Sequence, residues 1–272
     1  MIPAPFTYKR AWSLDEALEL AGQGGDDAKF LAGGHSLLPL MKLRLAVPTT
    51  LVDIGRLGEL SFIRDEGGHI AIGALTSHHD LAGSGLLARE LPLLVHAAGL
   101  VGDPQVRHRG TIGGSLAHGD PAGDLPAVVL ALDATLVTRG PAGSREIGAA
   151  EFFRGLFETA LAPGELLTEI RIPKPSDTAW SFQKFTKRAI DWAIVGVAVQ
   201  GGSVALVNMG RTPLRATAVE RALADGAVPA DAAAHAAEGT SPADDVNADR
   251  GYRQHLARVL VARALAESRS RS

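Results

Sequence analysis

The sequence predicts an α+β fold, and three observations carry that prediction. Capped helical segments alternate with short apolar strands in the first half, hairpin and meander patterns of strands follow, and two glycine-rich turns punctuate the chain. Those turns are Ala32-Gly33-Gly34-His35-Ser36 and Thr111-Ile112-Gly113-Gly114-Ser115. Adjacent glycines let the backbone take positive φ and let a ligand approach with no Cβ in the way. Successive exposed N–H groups in such a turn form a concavity suited to a phosphate or pyrophosphate. Ser36, Thr111 and Ser115 add hydroxyl donors beside them. A Gly-Gly pair taken alone is most often only a turn. Two of the same design in one chain point to a diphosphate. Neither is a P-loop, because no Gly-Lys-Ser/Thr follows, and neither matches G-x-G-x-x-G at a strand-to-helix turn.

Taken in order, Ser13-Leu14-Asp15-Glu16 is a capping box that starts a helix running to about Ala21. Gly22 to Gly25 ends it, and Ala28 to Leu31 is a strand delivering the first turn. Ser36 to Leu45 reads as a short helix with Pro39 near its start, and Thr50 to Ile54 as the next strand. Leu60–Arg64 and His69–Ala74 form a hairpin about a glycine turn. Ser77 with Asp80 opens a short helix, Leu86 to Leu100 is an apolar helical stretch with Pro92 as an early-turn residue or boundary, and residues 101–110 are expected to be a loop. Pro121–Leu132 reads as a helix, Thr135–Thr138 as a strand, Glu151–Gly155 as a short helix and Glu165–Ile172 as an edge strand. Pro173 to Asp177 has the composition of a linker. Beyond it, segments 179–186, 192–200 and 204–208 predict a three-stranded antiparallel meander, and 217–224, 230–237 and 250–266 predict helices. A disordered tail is expected over 268–272.

With 272 residues, 46% of them hydrophobic, the chain can bury a sizeable core. A net charge of −3 argues against a dedicated nucleic-acid binder. The absence of cysteine excludes disulfides, thiolate zinc sites, cysteine-held iron–sulfur clusters and cysteine nucleophiles within this chain. No signal-peptide pattern opens it and no apolar run has the length of a membrane span, so a soluble cytoplasmic protein is expected.

The chain resembles the FAD-binding medium subunit of the molybdenum hydroxylases, the aerobic carbon monoxide dehydrogenase and xanthine dehydrogenase family. The matching stretches are Ala-Gly-Gly-His-Ser at 32–36, Arg-Gly-Thr-Ile-Gly-Gly-Ser-Leu-Ala-His at 109–118, Asp120-Pro121, Lys184 to Val199, Asn208-Met209-Gly210 and Pro213-Leu214-Arg215-Ala216. The resemblance implies an α+β fold of the vanillyl-alcohol-oxidase (PCMH) type. Residues 1–175 would then form the FAD-binding domain, in subdomains of about 1–55 and 56–175, and residues 176–272 a C-terminal domain with a three-stranded antiparallel sheet. It implies FAD as cofactor, held at the pyrophosphate by both glycine turns. It also implies two partner chains, a large molybdopterin-containing subunit and a small [2Fe-2S] subunit. Where the family often has Asn and Glu, this chain has Ser115 and Asp124.

The residues expected to hold FAD are Lys29, Leu31, Ala32, Gly33, Gly34, His35, Ser36 and Leu37 around the first turn. Gly110, Thr111, Ile112, Gly113, Gly114 and Ser115 belong to the second. Gly102 and Val106 precede it and either line the flavin or serve only loop packing. Asp124, at a helix start that favours a carboxylate in any case, is assigned by the resemblance to the ribose. Lys184 either approaches the flavin ring, where a cation stabilises negative charge on the reduced form, or is a surface lysine. His78-His79 and His118-x-Asp120 lack the pattern of a metal site, and no nucleophile–base–orienter set stands out. The expected function is electron transfer through FAD, from the small subunit's clusters to an external acceptor. A self-contained FAD oxidoreductase and a non-catalytic assembly subunit are the alternatives.

Overall fold

The computed structural model describes residues 2–271. The first unit is β1 (Thr7–Arg10), α1 (Leu14–Gly24), β2 (Ala28–Leu31), α2 (Leu37–Lys42) and β3 (Thr50–Asp53). The Ser13 side chain accepts from the Glu16 N–H, and the Glu16 carboxylate accepts from the Trp12 N–H at 2.7 Å, which fixes the start of α1. β2 and β1 flank β3, both parallel to it. Sequence reading missed β1, whose Thr-Tyr-Lys-Arg lacks an apolar face; its backbone pairing to β3 defines it.

The second unit begins with the hairpin β4 (Ile63–Asp65) and β5 (His69–Gly73), followed by α3 (His78–Gly83), α4 (Gly85–Glu90) and α5 (Pro92–Gly99). The apolar helical stretch expected over 86–100 divides at Leu91, which the following proline drives out of the helical region to φ −138°, so Pro92 is the boundary and the first residue of α5. The loop expected over 101–110 holds a helix, α6 (Pro104–Arg109), with Asp103 capping the Val106 N–H at 2.9 Å and Pro104 at its first position. Then come α7 (Ile112–His118), α8 (Asp124–Ala131), β6 (Thr135–Gly140), β7 (Gly143–Gly148), α9 (Ala149–Phe152), β8 (Phe153–Gly155), β9 (Glu158–Thr159) and β10 (Leu166–Pro173). The five-stranded sheet runs β4-β5-β10-β6-β7, so β10 is its centre and not the edge strand its alternation suggests. The polar β7, unread in the sequence because most of it faces water, takes that edge.

The last unit contains β11 (Trp180–Phe185), β12 (Val195–Gln200), β13 (Ser203–Val207) and β14 (Leu214–Arg215), then α10 (Thr217–Ala224), α11 (Pro229–Ala233) and α12 (Arg250–Arg269). The antiparallel sheet has four strands where three were expected, because the two-residue β14 pairs with Ala205 and Leu206. α12 runs to Arg269, into the start of the tail expected to be disordered: Ser268 is buried and donates to the Leu265 carbonyl, while Ser272 lies outside the described residues.

Every residue of α8 is buried, and the helix packs on α5, on β12 and on β13. It therefore joins the second and last units, and burying each of its larger side chains contributes about 1.5–3 kcal/mol. A second tie fixes β6 and β7 to the start of β10. Glu165 accepts from Thr138 at 2.5 Å, from Arg145 Nε and Nη2 at 2.6 Å each, and from the Ala162 N–H at 2.7 Å. The Arg145 bond holds the Glu165 pKa down at about 2. Its stabilisation is present above the ordinary carboxylate range and is lost as pH falls toward 2. Glu165→Gln is expected to cost about 2–3 kcal/mol at pH 7, measured by urea unfolding, with the difference from wild type shrinking on acidification. An unchanged midpoint at pH 7 would refute this.

Candidate functional site

β2 ends at Leu31 and is held in register by the Ile54 N–H, which donates to the Leu31 carbonyl at 3.0 Å. The chain then turns through residues 32–36 into α2, with Gly34 at φ +78°. The backbone N–H groups of Gly33, Gly34, His35 and Ser36 make no hydrogen bond to the protein among the described residues. Ser36 stands at the N-cap of α2, yet its hydroxyl makes no capping bond. Four consecutive amide donors and a hydroxyl thus have no protein partner, in a part of the chain that is half-buried or exposed. That is an anion nest. Lys29 is exposed on β2, while Leu31 and Leu37 flank the turn half-buried.

The second glycine stretch is built differently. Thr111 is the N-cap of α7: its hydroxyl accepts from the Gly114 N–H at 3.1 Å and its carbonyl from the Ser115 N–H at 3.0 Å. The Ile112 N–H donates to the Thr76 carbonyl and the Gly113 N–H to the Ala74 carbonyl, at 3.0 and 2.8 Å. Residues 111–115 are therefore a helix start stitched to residues 74–76, and the expected second nest of free N–H groups is not formed. Sequence reading missed this because a Gly-Gly pair disfavours helix, while tertiary hydrogen bonds hold one here.

Two of these glycines are required by packing. A Cβ on Gly113 would stand 2.5 Å from Ala74 Cβ, and one on Gly110 would stand 2.8 Å from His78 Cδ2. Gly114 is exposed, and a Cβ there would meet only the Thr111 hydroxyl, at 2.8 Å. The fold leaves that face open to a ligand. The two stretches also touch. A Cβ on Gly33 would lie 2.0 Å from the Arg109 carbonyl oxygen, with Gly110 Cα at 3.0 Å. Gly33 therefore lets the first turn close on the backbone leading into the second. Gly102, at φ +50°, packs on Val106 at the entry to α6, and Arg107 ties that entry down by donating to the carbonyls of Val101 and Gly102.

Asp124 and Lys184, assigned separately from the sequence, meet as an ion pair at 2.7 Å, their side chains 6% and 7% exposed. Lys184 Nζ also donates to the Leu100 carbonyl at 3.2 Å. The lysine is thus not a surface residue. Asp124 Oδ1 is buried with no partner, an acceptor available to a hydroxyl donor. Burial raises the Asp124 pKa to about 6 against the opposing pull of Lys184. A cleft of about 310 Å³, which neither residue of the pair lines, opens between Ala122 and the residues Lys187, Trp192, Asn208 and Arg253.

The free N–H groups, the open Gly114 face and the unpartnered Asp124 oxygen suit a dinucleotide carrying a pyrophosphate and ribose hydroxyls. The histidines do not assemble a metal centre: no group of three or more His, Asp or Glu with that geometry occurs among the described residues. His79 stacks on His108 at 3.9 Å, and His118 packs on Phe157. No helix is long and apolar enough to cross a membrane among the described residues.

Residues 4–175 match the family model described as FAD binding domain in molybdopterin dehydrogenase, and residues 180–268 match that of the CO dehydrogenase flavoprotein C-terminal domain. The carbon monoxide dehydrogenase medium chain of Hydrogenophaga pseudoflava is 44% identical over 97% of each chain. The solved carbon monoxide dehydrogenase of that organism lacking the Mo-pyranopterin moiety superposes with a TM-score of 0.95 at 44% identity, over 100% of this chain and 99% of that one. Quinoline 2-oxidoreductase from Pseudomonas putida 86 superposes with a TM-score of 0.93 at 32% identity, with 99% of each chain covered.

Proposed function

This chain belongs to the family of FAD-binding domains of molybdopterin dehydrogenases, and we propose that it is the electron-transfer subunit of a heteromeric molybdenum hydroxylase. It takes electrons from the [2Fe-2S] clusters of a small partner subunit and passes them to an external acceptor, while a large molybdopterin-containing subunit oxidises the substrate in the cytoplasm. The observation that carries the reading is the first glycine turn, with four unpartnered N–H groups closed against Arg109 and Gly110. The lack of cysteine fits, since clusters then reside in the partner.

In this reading residues 32–36 hold the pyrophosphate. Gly114 and Ser115 offer a smooth face and a hydroxyl, Asp124 Oδ1 accepts from a ribose hydroxyl, and Lys184 keeps that carboxylate charged. Lys29, Leu31, Leu37, Gly102, Val106, Gly110, Thr111, Ile112 and Gly113 complete the walls. The layout is that of the vanillyl-alcohol-oxidase type, with FAD-binding subdomains of about 1–55 and 56–175 and a C-terminal domain over 176–272. FAD, when bound, supplies the redox chemistry; the chain's own residues bind and orient it and need move no proton for electron entry. The substrate pocket lies in another chain, and the relatives' substrates differ, carbon monoxide in one and quinoline in another.

Gly114→Ala separates cofactor binding from folding. In a helix the exchange gains up to about 1 kcal/mol of propensity, set against a small displacement of the Thr111 hydroxyl. The apoprotein is expected to unfold within about 1 kcal/mol of wild type while FAD uptake, followed by flavin fluorescence in the flavin-depleted complex, falls at least about tenfold. Undiminished uptake would remove Gly114 from the site. The self-contained enzyme is tested by adding hydroxylase substrates to the isolated chain carrying FAD: no flavin bleaching is expected, and bleaching would favour that alternative.

A further inference from the structure

We infer that His78 is a positioning residue of the cofactor site, an uncharged brace that holds the Gly110 peptide against Gly33 and so keeps the two glycine stretches closed around FAD. The inference rests on the FAD-binding reading above. His78 opens α3 and is 4% exposed. It grips Gly110 twice. Its backbone N–H donates to the Gly110 carbonyl at 3.0 Å, and its ring edge lies so near the Gly110 Cα that a Cβ there would stand 2.8 Å from Cδ2 and 3.0 Å from Nε2. Gly110 Cα is in turn the atom 3.0 Å from where a Gly33 Cβ would be. Three residues from three parts of the chain thus stack in one column, Gly33 on Gly110 on His78. The nest's own turn rests on that column.

The charges around the ring keep it neutral. His35 faces it from the nest and Arg107 from α6, both opposing a proton on it, and burial opposes one more strongly still, so its pKa falls to about 4. On its own helix Asp80 is engaged with the Ser77 hydroxyl at 2.7 Å. α5, packed against α3, carries His96, which lies against Trp180. The Nδ1 atom is buried with no partner, so a protonated ring would hold an unmet donor in the protein interior, a costly state. His79, next in sequence, stacks on His108 instead.

The test compares FAD binding in the flavin-depleted complex at pH 7.5, where Asp124 is ionised, using FAD itself as probe and calorimetry in phosphate and Tris to count protons taken up. His78→Gln keeps reach and neutrality and is expected to bind within about threefold of wild type, with the same proton count. His78→Ala removes the brace and is expected to bind at least about tenfold more weakly. Gly110→Ala, which leaves the imidazole but displaces it, gives the same loss and serves where the alanine at 78 does not fold. Wild-type affinity in both His78→Ala and Gly110→Ala overturns the inference. So does uptake of one proton by wild type that His78→Gln lacks, since the ring is then a charged ligand of the phosphates. His79→Gln leaves affinity unchanged if the brace is residue 78 and not the stacked pair. Should Gly114→Ala retain FAD while His78→Ala loses it, the second stretch's part in the site falls and the brace stands.

Discussion

Gly33→Val is expected to weaken FAD binding by at least about 100-fold, or about 2.7 kcal/mol, and to destabilise the apoprotein by about 1–3 kcal/mol. The reason is a collision with backbone that cannot rotate away: the first atom of any side chain would stand 2.0 Å from the Arg109 carbonyl oxygen. Relief requires the turn at 32–36 to lift off Gly110, and the four free N–H groups then point elsewhere. Gly33 is not at positive φ, so conformational strain contributes nothing; Gly34, at φ +78°, is the residue that needs glycine for its dihedral. Gly33→Ala should already lose most of the binding, because the clash begins at Cβ. Gly22→Ala, with nothing within 4 Å of its Cβ, is the control and should leave binding unchanged. FAD retention after gel filtration, read from the flavin absorption bands, decides the matter. A yellow Gly33→Val protein would mean that the two stretches do not meet around the cofactor.

That contact between Gly33 and Gly110 marks the limit of what one sequence reveals. The β2-turn-α2 unit is local, so Ala28 to Leu31, the glycines after them and the helix beyond can be read in place. The order of helices and hairpins is equally legible from caps and prolines. What a period or a cap does not encode is which segments cross. Seventy-odd residues separate the two glycine stretches, and only the fold lays Arg109 on Gly33. The same applies to Asp124 and Lys184: each was visible as a charge near an element end, but their pairing at 2.7 Å depends on α8 packing beneath the C-terminal sheet. It applies as well to 111–115, where the free N–H groups inferred from glycine chemistry are consumed by the carbonyls of residues 74 and 76. β10 reads as an edge strand for the related reason that the polar β7 gives no apolar signal to announce the strands outside it.

Lys184→Met is expected to produce the largest loss of stability, about 3–5 kcal/mol at pH 8. Methionine fills the space of the lysine stem but leaves the Asp124 carboxylate, 6% exposed, with neither its cation nor a partner for Oδ1. The cost is that of an uncompensated buried charge, so it must depend on pH. In wild type the Asp124 pKa is already raised to about 6 by burial, with Lys184 restraining it; removing the lysine raises it further. A carboxyl whose folded pKa lies above its unfolded value of about 3.9 binds more protons folded than unfolded, so it favours the folded state at low pH and loses that contribution as pH rises through the folded pKa. The penalty of Lys184→Met should therefore be smaller at pH 5, where the carboxyl is neutral, than at pH 8, where it is forced to ionise. Urea unfolding at the two pH values measures this, and an equal penalty at both would show that the lysine acts by packing alone. The double variant Asp124→Asn with Lys184→Met removes both charges and should recover much of the pH 8 loss. FAD affinity should not recover with it, because an amide at 124 no longer presents the charge-assisted acceptor that a ribose hydroxyl would take. Stability restored without cofactor restored would separate the pair's structural role from its role in binding.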